Sequence, residues 1–290
     1  MTHPDYSIIF PVKNEGENVK KTLDSLFRVK TNTTFEVIIV DDQSDDDCCA
    51  FLAAYPSASN VKVIRTEGVG SSAARNVGAE AAAGEYFVFC DAHLTFEDWW
   101  LDRLAQPVLM EKTDVICPAI SSMEHPHSVG YGQFLQPNMQ IGWYSKTSGL
   151  KEVAIVPGAC FLLHREVFYE VGGFEKGFRR WGHEDVELSI KLWLFGYRCH
   201  VLPTVTIAHL FRQHHPYTVQ PEHISYNLLR MAYSHFNTLR INKCRKMIPS
   251  DMAKSIEADV LRNLGRQRLE YLERRVFDDN WYFRKFNLQF

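Results

Sequence analysis

The first 93 residues alternate between short apolar runs and segments with helical spacing, and this order constrains the fold more than any other feature. The apolar runs are YSIIFPV at 6–12, FEVIIVDD at 35–42, VKVIRT at 61–66 and EYFVFCDAH at 85–93. The intervening segments include a helix around 46–54 and an alanine-rich helix within 68–84. Because parallel strands need long crossover connections, usually helices, this order predicts a parallel sheet with right-handed crossovers.

Unusual polar residues follow the ends of three of these strands. Pro11–Lys13 end the first strand, Asp41 and Asp42 end the second, and Asp91–His93 end the fourth. The strands themselves are continuous apolar runs, as expected when helices cover both faces of the sheet. Such sheets bind ligands beyond the carboxyl ends of their strands. The sequence therefore predicts a binding edge where these polar residues meet.

Asp91 and His93 form the pattern D-x-H at the end of the fourth strand. On an extended strand, residues separated by one position point the same way. A carboxylate beside an imidazole suits a divalent cation such as Mn²⁺. A helix-capping aspartate next to a buried histidine explains the same residues without a metal. Both interpretations stay open on this pair alone.

After residue 100 the pattern becomes less regular. A strand is predicted at 114–123, and the Gly-, Pro- and His-rich stretch at 124–152 has the length of a functional loop. Residues 183–196 predict a helix, and residues 197–212 predict a pair of strands. Helical patterns dominate from about 221 onward.

Size and charge exclude several classes of protein. The chain has 290 residues and a formal net charge of −3, which argues against a nucleic-acid-binding protein. No long apolar run predicts a membrane-spanning helix, and no signal peptide is recognisable at the N-terminus. With seven cysteines and no export signal, we expect reduced thiols and a cytoplasmic location. Peripheral contact at the inner face of the membrane and homo-oligomer formation are left open.

Six motifs occur in one order along residues 6–215. They are SIIFPVKNEGENVKKTL, FEVIIVDDQSDD, GVGSSAARNVGAEAAAGEYFVFCDAH, VPGACFLLHREVFYEVGGFEKGF, WGHEDVELSIKLW and AHLFR. In these motifs the chain resembles nucleotide-sugar-dependent glycosyltransferases of the GT-A type, with a framework similar to family 2. The D-x-H motif and the His-Leu-Phe-Arg segment are similar to those of the polypeptide N-acetylgalactosaminyltransferases.

The resemblance implies a fold and a domain organisation. The expected fold class is α/β, with a Rossmann-like GT-A sheet that is mixed but mainly parallel and flanked by helices. Residues 1–220 would form the catalytic domain, with a nucleotide-binding half at about 1–95 and an acceptor-binding half at about 96–220. Residues 221–290 would form a helical C-terminal extension. It would pack on the catalytic domain, on a second subunit, on an acceptor protein or on a membrane surface.

The resemblance also implies a metal site. Asp91 and His93 match the family's metal motif, and His209 matches the third ligand of the D-x-H relatives. The cofactor would be Mn²⁺ or Mg²⁺, which neutralises charge on the diphosphate of a UDP-sugar donor. Arg212 would contact the same diphosphate.

Further residues match positions that contact the donor in these enzymes. Asp42 corresponds to the carboxylate that accepts a hydrogen bond from the base, usually uracil, whereas Asp41 would be structural. Arg75 matches a donor-facing position, although a surface salt bridge explains it equally well. The expected donor contacts are Pro11, Val12, Lys13, Asp42, Arg75, Ala92, Gly158, Trp181 and Arg212.

The segment WGHEDVE supplies the expected catalytic residues. In inverting relatives, the aspartate of a Glu-Asp pair takes the proton of the acceptor hydroxyl, which implies that Asp185 is the base. Glu184 would bind a sugar hydroxyl. The retaining D-x-H relatives carry Glu-Asn here, so the metal motif and this helix point to different branches. Because asparagine cannot act as a base, we favour inversion.

The expected function is metal-dependent transfer of a hexose or N-acetylhexosamine from a UDP-sugar to an acceptor hydroxyl. A retaining N-acetylhexosaminyltransferase and a catalytically silent nucleotide-sugar-binding scaffold stay as alternatives. A nucleotidyltransferase is disfavoured, because PVKNEGENV lacks a glycine-rich, basic phosphate loop after the first strand. The acceptor is a glycan, a lipid-linked sugar, a peptide or a small molecule, and the sequence does not distinguish these.

Overall fold

The computed structural model of the protein describes residues 3–290 and contains a ten-stranded sheet and a separate two-stranded one. The strands, in chain order, are β1 (Tyr6–Val12), β2 (Phe35–Asp42), β3 (Val61–Thr66), β4 (Tyr86–Cys90), β5 (Leu94–Thr95), β6 (Val115–Ser122), β7 (Val129–Gly130), β8 (Gln133–Leu135), β9 (Ile141–Trp143), β10 (Lys151–Glu152), β11 (Cys160–His164) and β12 (Cys199–His209). β8 and β9 form the small separate sheet.

The α-helices lie between and after these strands. In chain order they are α1 (Asn18–Arg28), α2 (Ser71–Ala81), α3 (Trp100–Leu109), α4 (Arg165–Glu170), α5 (Glu184–Leu194), α6 (Pro221–His235), α7 (Thr238–Met247), α8 (Ser250–Leu264), α9 (Gln267–Arg274) and α10 (Asp279–Lys285). The last five follow one another without an intervening strand and form the predicted C-terminal helices.

The N-terminal strands lie side by side in parallel. β1 lies between β2 and β4, and β3 extends the sheet beyond β2. β11 runs antiparallel between β4 and β6, and β12 is parallel to β6. The sheet is therefore mixed but mainly parallel, which confirms the predicted fold class.

Alternating side chains of the strands enter two cores on opposite faces of the sheet. Ile9 and Ile38 belong to one core, whereas their neighbours Ile8 and Ile39 belong to the other. Helices α2, α4 and α5 cover the first core, and α1 and α3 cover the second. Each fully buried isoleucine contributes roughly 1.5–3 kcal/mol relative to an exposed one. The two covered faces explain why these strands are continuously apolar.

Two early segments differ from the sequence-based prediction. β4 ends at Cys90, so Asp91 and His93 lie in the turn after the strand rather than on it. The expected helix around 46–54 is only a short 3₁₀ helix, Ala50–Ala54. The spacing of Asp91 and His93 therefore does not by itself place them on one side.

The expected strand pair within 197–212 is wrong, because β12 is a single long strand. Its pairing with β6 shifts register between Leu202 and Thr206. Pro203 lies in this interval and has no N–H group for the hydrogen-bond ladder. The proline interrupts the pairing but not the direction of the chain, and the sequence alone does not separate these two effects.

The C-terminal helices pack against the rest of the protein. Leu229 of α6 and Tyr282 of α10 belong to the same core as Leu192 of α5. The Tyr282 hydroxyl donates a hydrogen bond to the Ala154 carbonyl, 3.0 Å away. Of the surfaces considered for this region, the one it covers in the structure is the preceding part of the chain, which carries the sheet and α5. The domain boundary at residue 220 stays a prediction.

The helices and thiols of the described chain have ordinary properties. None of the helices from residue 3 onward is both long and apolar enough to cross a membrane. All seven cysteines are free thiols, as expected. Cys90 and Cys160 face each other across β4 and β11 with their sulfur atoms 3.6 Å apart.

Candidate active site

A cleft of about 1060 Å³ opens beyond the carboxyl ends of β1, β2 and β4. These parallel strands end at one edge of the sheet, where such folds bind ligands. The loop before α2, the segment before α5 and the end of β12 complete the walls. Every site residue predicted from the sequence lines this cleft, namely Pro11, Val12, Lys13, Asp42, Arg75, Asp91, Ala92, His93, Gly158, Trp181, Glu184, Asp185, His209 and Arg212.

The turn after β4 and the end of β12 bring three potential metal ligands together. One ligand atom from each of Asp91, His93 and His209 lies within 4.8 Å of the others. Nε2 of His209 is 3.2 Å from Asp91 Oδ2, and Nε2 of His93 is 4.0 Å from the same oxygen. A carboxylate faced by two imidazoles is a donor set that suits Mn²⁺. These residues therefore fit the expected cation.

Asp91 is the electrostatic centre of this cluster. Burial raises its pKa, but the hydrogen bond from His209 and the charges of His93 and Arg75 outweigh burial and lower the pKa of Asp91 well below its usual range. The carboxyl group therefore stays ionised at neutral pH, as a metal ligand must. The Thr22 hydroxyl also donates to the carbonyl of Ala92 at 2.9 Å, which fixes the turn that carries both Asp91 and His93.

Glu15, in the loop after β1, is a site residue that the sequence analysis missed. Its carboxylate is 3.2 Å from Nδ1 of His93 and accepts hydrogen bonds from both terminal nitrogens of Arg212, one of them at 3.0 Å. Burial raises the pKa of Glu15, but the hydrogen bonds from His93 and Arg212 lower it overall. A proton on Nδ1 of His93, directed at Glu15, leaves Nε2 free to face Asp91.

We expect Glu15→Gln to weaken manganese binding about tenfold or more, because partners that orient a ligating histidine typically contribute 10–100-fold to metal affinity. The amide keeps the size of the side chain but cannot hold Arg212 and His93 with a full charge. The measurement is the dissociation constant of Mn²⁺ from the free-ion electron paramagnetic resonance signal, with UDP present. Glu17→Gln is the matched control, since the Glu17 side chain is 84% exposed. Equal affinities for both variants would contradict this role of Glu15.

Arg75 connects the potential metal ligands to helix α5. Its guanidinium is 3.0 Å from Asp91 Oδ1 and 3.5 Å from Glu184 Oε1, and it also donates to the Ser71 hydroxyl. The residue is only 3% exposed. The alternative of a surface salt bridge is therefore wrong, because the arginine lies buried between two parts of the site.

Asp42 and Lys13 have partners within the protein. The Asp42 carboxylate accepts hydrogen bonds from the Thr66 hydroxyl and from the N–H groups of Val69 and Gly70, at 2.6–2.9 Å. Lys13 Nζ donates to the carbonyl of Asp42 at 2.8 Å. Asp42 thus holds the loop before α2, and its expected contact with a base stays a prediction. The neighbouring Asp41 accepts hydrogen bonds from the Ser44 N–H and from Arg65, and it does not line the cleft.

The loop before α2 packs directly against the segment before α5. Gly70 has φ +92°, and a Cβ atom there would lie 2.7 Å from the backbone of Arg180. The N–H of Ser71 donates to the Arg180 carbonyl at 2.7 Å. Only glycine permits this approach at residue 70. The contact brings the loop before α2 and the segment before α5 into one wall of the cleft.

Helix α5 begins with the two acidic residues expected to act in the reaction. Glu184 accepts hydrogen bonds from the Gly182 N–H at 3.0 Å and from the Ser71 hydroxyl. Asp185 Oδ2 accepts one from the Gly158 N–H at 3.0 Å, and a Cβ atom on Gly158 would lie 3.3 Å from that carboxylate. Burial, followed by the charge of Glu184, raises the pKa of Asp185 to about 6. Asp185 is therefore a weak base that is ionised at neutral pH, the property that a general base needs.

Aromatic side chains line the open part of the cleft. The rings of Trp181 and His215 are 4.5 Å apart, and those of Trp143 and Phe211 are 6.2 Å apart. Phe211 is 40% exposed. Flat apolar rings beside carboxylates and imidazoles provide a surface for the faces of sugar rings and polar groups for their hydroxyls.

Two family models match the chain. Residues 7–172 match the model described as Glycosyl transferase family 2, and residues 151–216 match the model described as N-terminal domain of galactosyltransferase. The first match covers more than half of the chain and contains Asp91 and His93. The second contains Asp185 and His209.

Curated relatives include polypeptide N-acetylgalactosaminyltransferases. Number 10 of Rattus norvegicus is 28% identical over 255 residues, which are 80% of this chain and 42% of that protein. Number 8 of Drosophila melanogaster is 33% identical over 228 residues, which are 72% of this chain and 38% of that protein. The chain therefore spans less than half the length of these relatives.

Solved structures share the fold at low sequence identity. The crystal structure of GalNAc-T7 with UDP, GalNAc and Mn²⁺ has a TM-score of 0.75 at 18% identity, and covers 99% of this chain and 57% of that one. The structure of S. aureus TarS 1–349 with UDP-GlcNAc has a TM-score of 0.61 at 19% identity, and covers 94% of this chain and 76% of that one. These similarities confirm the GT-A fold.

Proposed function

Since the chain belongs to glycosyl transferase family 2, we propose that it transfers a sugar from a UDP-sugar to an acceptor hydroxyl with the help of a divalent cation. One observation carries this proposal. Asp91, His93 and His209, from two distant parts of the chain, converge in a cleft that also contains Glu184 and Asp185. A merely structural role for these residues would not require them to share one cavity.

The cation would be held by Asp91, His93 and His209, and Mn²⁺ suits their mixed oxygen and imidazole donors better than Mg²⁺ does. When bound, such an ion neutralises charge on a diphosphate leaving group. The relative of known structure named above binds UDP with Mn²⁺. Arg75 and Arg212 supply further positive charge on the same side of the cleft, although Arg212 must leave or share Glu15 to reach a diphosphate.

The remaining donor contacts follow from position. Pro11, Val12 and Lys13 at the end of β1 would flank the base and ribose, with the Asp42 carboxylate beside them. Gly158 would let the backbone approach the donor sugar, since it has no side chain. Trp181 would present its ring to a sugar face. Each of these roles is part of the proposal.

For the transfer step, we assign Asp185 as the general base. Its carboxylate would take the proton of the acceptor hydroxyl as that oxygen forms a bond to the anomeric carbon and the bond to the diphosphate breaks. The Gly158 N–H orients the carboxylate. Burial, together with the charge of Glu184, raises its pKa to about 6, close to neutral pH. Glu184, held by Ser71 and Gly182, would bind a sugar hydroxyl. This arrangement favours inversion of the anomeric configuration.

A retaining N-acetylhexosaminyl transfer is the second candidate. It is favoured by the D-x-H motif and by relatives named as polypeptide N-acetylgalactosaminyltransferases. It would not need Asp185 as a base. The acceptor, whether a glycan, a lipid-linked sugar, a peptide or a small molecule, is not distinguished by either candidate.

A donor screen tests the proposal. The purified protein is incubated with Mn²⁺ and a panel of UDP-, GDP- and dTDP-sugars, and nucleotide release is measured with and without candidate acceptors. We expect release from one or more UDP-sugars, abolished by chelation of the metal. The anomeric configuration of the product, read from its proton NMR coupling constants, separates inversion from retention. Tight nucleotide binding with no turnover of any donor would instead indicate a catalytically silent scaffold.

A further inference from the structure

Asn227 of helix α6 contacts the segment that carries the proposed catalytic residues. We infer that it is a positioning residue for the transfer reaction, acting through the backbone of 179–182. This inference rests on the function proposed above, because it assigns a purpose to the geometry of Trp181, Glu184 and Asp185. Nothing in the sequence motif of the site includes Asn227, which lies more than 40 residues later.

The Asn227 side chain makes four hydrogen bonds to this short segment. Its oxygen accepts from the Arg179 N–H at 2.7 Å. Its nitrogen lies 2.8 Å from the carbonyl of Arg179, 3.2 Å from that of Trp181 and 3.0 Å from that of Gly182. One amide thus contacts both ends of the segment. Asn227 is 1% exposed, so water does not compete for these groups.

The segment needs such support because its backbone is unusual. Arg180 has φ +36°, Gly182 has φ +105° and His183 has φ +67°. Positive φ values are costly for residues with side chains, and they persist only where the surroundings fix them. Two of these residues, Arg180 and His183, have side chains that disfavour this region. Asn227 contacts the carbonyls of Arg179, Trp181 and Gly182, which lie before and within this strained turn.

Helix α6 holds the neighbouring parts of the chain as well. Arg230, one turn after Asn227, pairs with buried Glu175 at 2.8 Å. A Cβ atom on Gly177 would overlap the Arg230 guanidinium, so the arginine lies directly against that glycine. Further along, His235 Nε2 is 2.7 Å from Glu187 of α5. The helix therefore fixes the chain before, within and after the strained segment.

Asn227 holds the chain just before α5 begins. The segment it holds leads directly into Glu184 and Asp185, and it presents the ring of Trp181 to the cleft. The Arg180 carbonyl in the same segment binds Ser71 at the donor-facing loop. Loss of the asparagine would therefore move the acidic pair relative to the metal ligands, which lie on other elements.

The test combines kinetics with hydrogen exchange on Asn227→Ala, Asn227→Asp and the control Asn242→Ala. Asn242 is exposed on α7, away from the cleft and from the segment 179–182. For Asn227→Ala we expect kcat to fall about tenfold or more while the donor KM changes much less, because misplacement of reacting groups is costly even over about 1 Å. Peptides covering 178–186 should exchange faster, and those of β1 and β2 should not. The aspartate variant keeps the acceptor for the Arg179 N–H but turns an oxygen toward the three carbonyls, so it should disturb the segment at least as much as alanine does.

Wild-type kcat and exchange in Asn227→Ala would overturn the inference, as would a loss of stability with kcat unchanged. Exchange is measured without donor or acceptor, so it reports on Asn227 even when no sugar transfer is found. If neither Asn227 variant folds, the test is hydrogen exchange of the wild type in low denaturant. The inference requires that the amides of 178–183 exchange together with those of α6. Exchange of 178–183 before α6 would refute it.

Discussion

Asp185→Asn is expected to lower kcat for sugar transfer by about 10²–10⁴-fold, the contribution of a well-placed general base. The amide keeps the shape of the side chain and can still accept a hydrogen bond from the Gly158 N–H, but it cannot take a proton. UDP and Mn²⁺ affinities should stay within about threefold of the wild type, because the proposed contacts to the diphosphate come from other residues. Initial rates with a saturating UDP-sugar, together with nucleotide binding by calorimetry, provide the measurement.

The pH dependence of the reaction gives an independent check of this base. Burial and Glu184 raise the pKa of Asp185 to about 6, so protonation below that pH removes the base. We expect kcat/KM in the wild type to fall by about tenfold for each pH unit below 6 and to level off above it. The residual activity of Asp185→Asn should not show this fall below pH 6.

The same pKa shift predicts the stability of the variant. A carboxyl group whose pKa is raised on folding contributes stability below its unfolded pKa, and this contribution is lost as the pH rises through the folded value. Ionised Asp185 therefore destabilises the fold at pH 7–8, and Asp185→Asn should melt no lower than the wild type there. Asp251→Asn, exposed in the first turn of α8, is the matched control. Retained transfer in Asp185→Asn, with a configuration-retaining product, would favour the second candidate mechanism.

His209→Ala is expected to weaken Mn²⁺ binding by more than about tenfold, the loss caused when even an orienting partner of a ligand is removed. His209 reaches Asp91 from β12, and no neighbouring imidazole other than His93 belongs to this cluster among residues 3–290. The variant should therefore need more Mn²⁺ for half-maximal nucleotide release. Titration of free Mn²⁺ by electron paramagnetic resonance, with UDP present, measures the affinity without relying on activity.

His127→Ala is the control for this experiment, because His127 lies exposed in the loop before β7. Unchanged metal affinity in His209→Ala would remove this residue from the site. A parallel melting curve is needed, since loss of a buried imidazole at the end of β12 changes packing as well as ligation. We expect added Mn²⁺ to raise the melting temperature of the wild type more than that of the variant.

The parts of the molecule set by local pattern were predictable from the sequence. The predicted bounds of β1, β2 and β3 agree with the structure at both ends. β1 and β2 follow from continuous apolar runs, whereas β3 is a shorter, more polar run at the edge of the sheet. Asp91, His93 and His209 were identified by residue type and by resemblance to known motifs. The single strand β12 was not predicted, because Pro203 looks like a break when its neighbours in the sheet are unknown.

The residues that escaped prediction act through partners far away in the chain. Glu15 becomes important only because the end of β12 places Arg212 beside it, across almost 200 residues. Asn227 makes no contact that a helical pattern reveals. The sequence left two interpretations of Arg75 open, a surface salt bridge and a contact within the site. Only the burial of the side chain separates them, and burial is known from the structure. Tertiary contacts of this kind leave no periodic signal in one sequence.

The buried charges between α5 and α6 limit how such chains can be recombined. Glu187 lies between Lys191 of its own helix and His235 of α6, and all three are at most 1% exposed. A chimera joined at residue 220 would take Glu187 from one parent protein and the residue at position 235 from another. A mismatch there leaves one buried oxygen of Glu187 without its hydrogen-bond partner, which costs about 1–3 kcal/mol. Libraries of hybrid enzymes should therefore inherit both helices from a single parent, with crossovers placed in the irregular stretch 124–152.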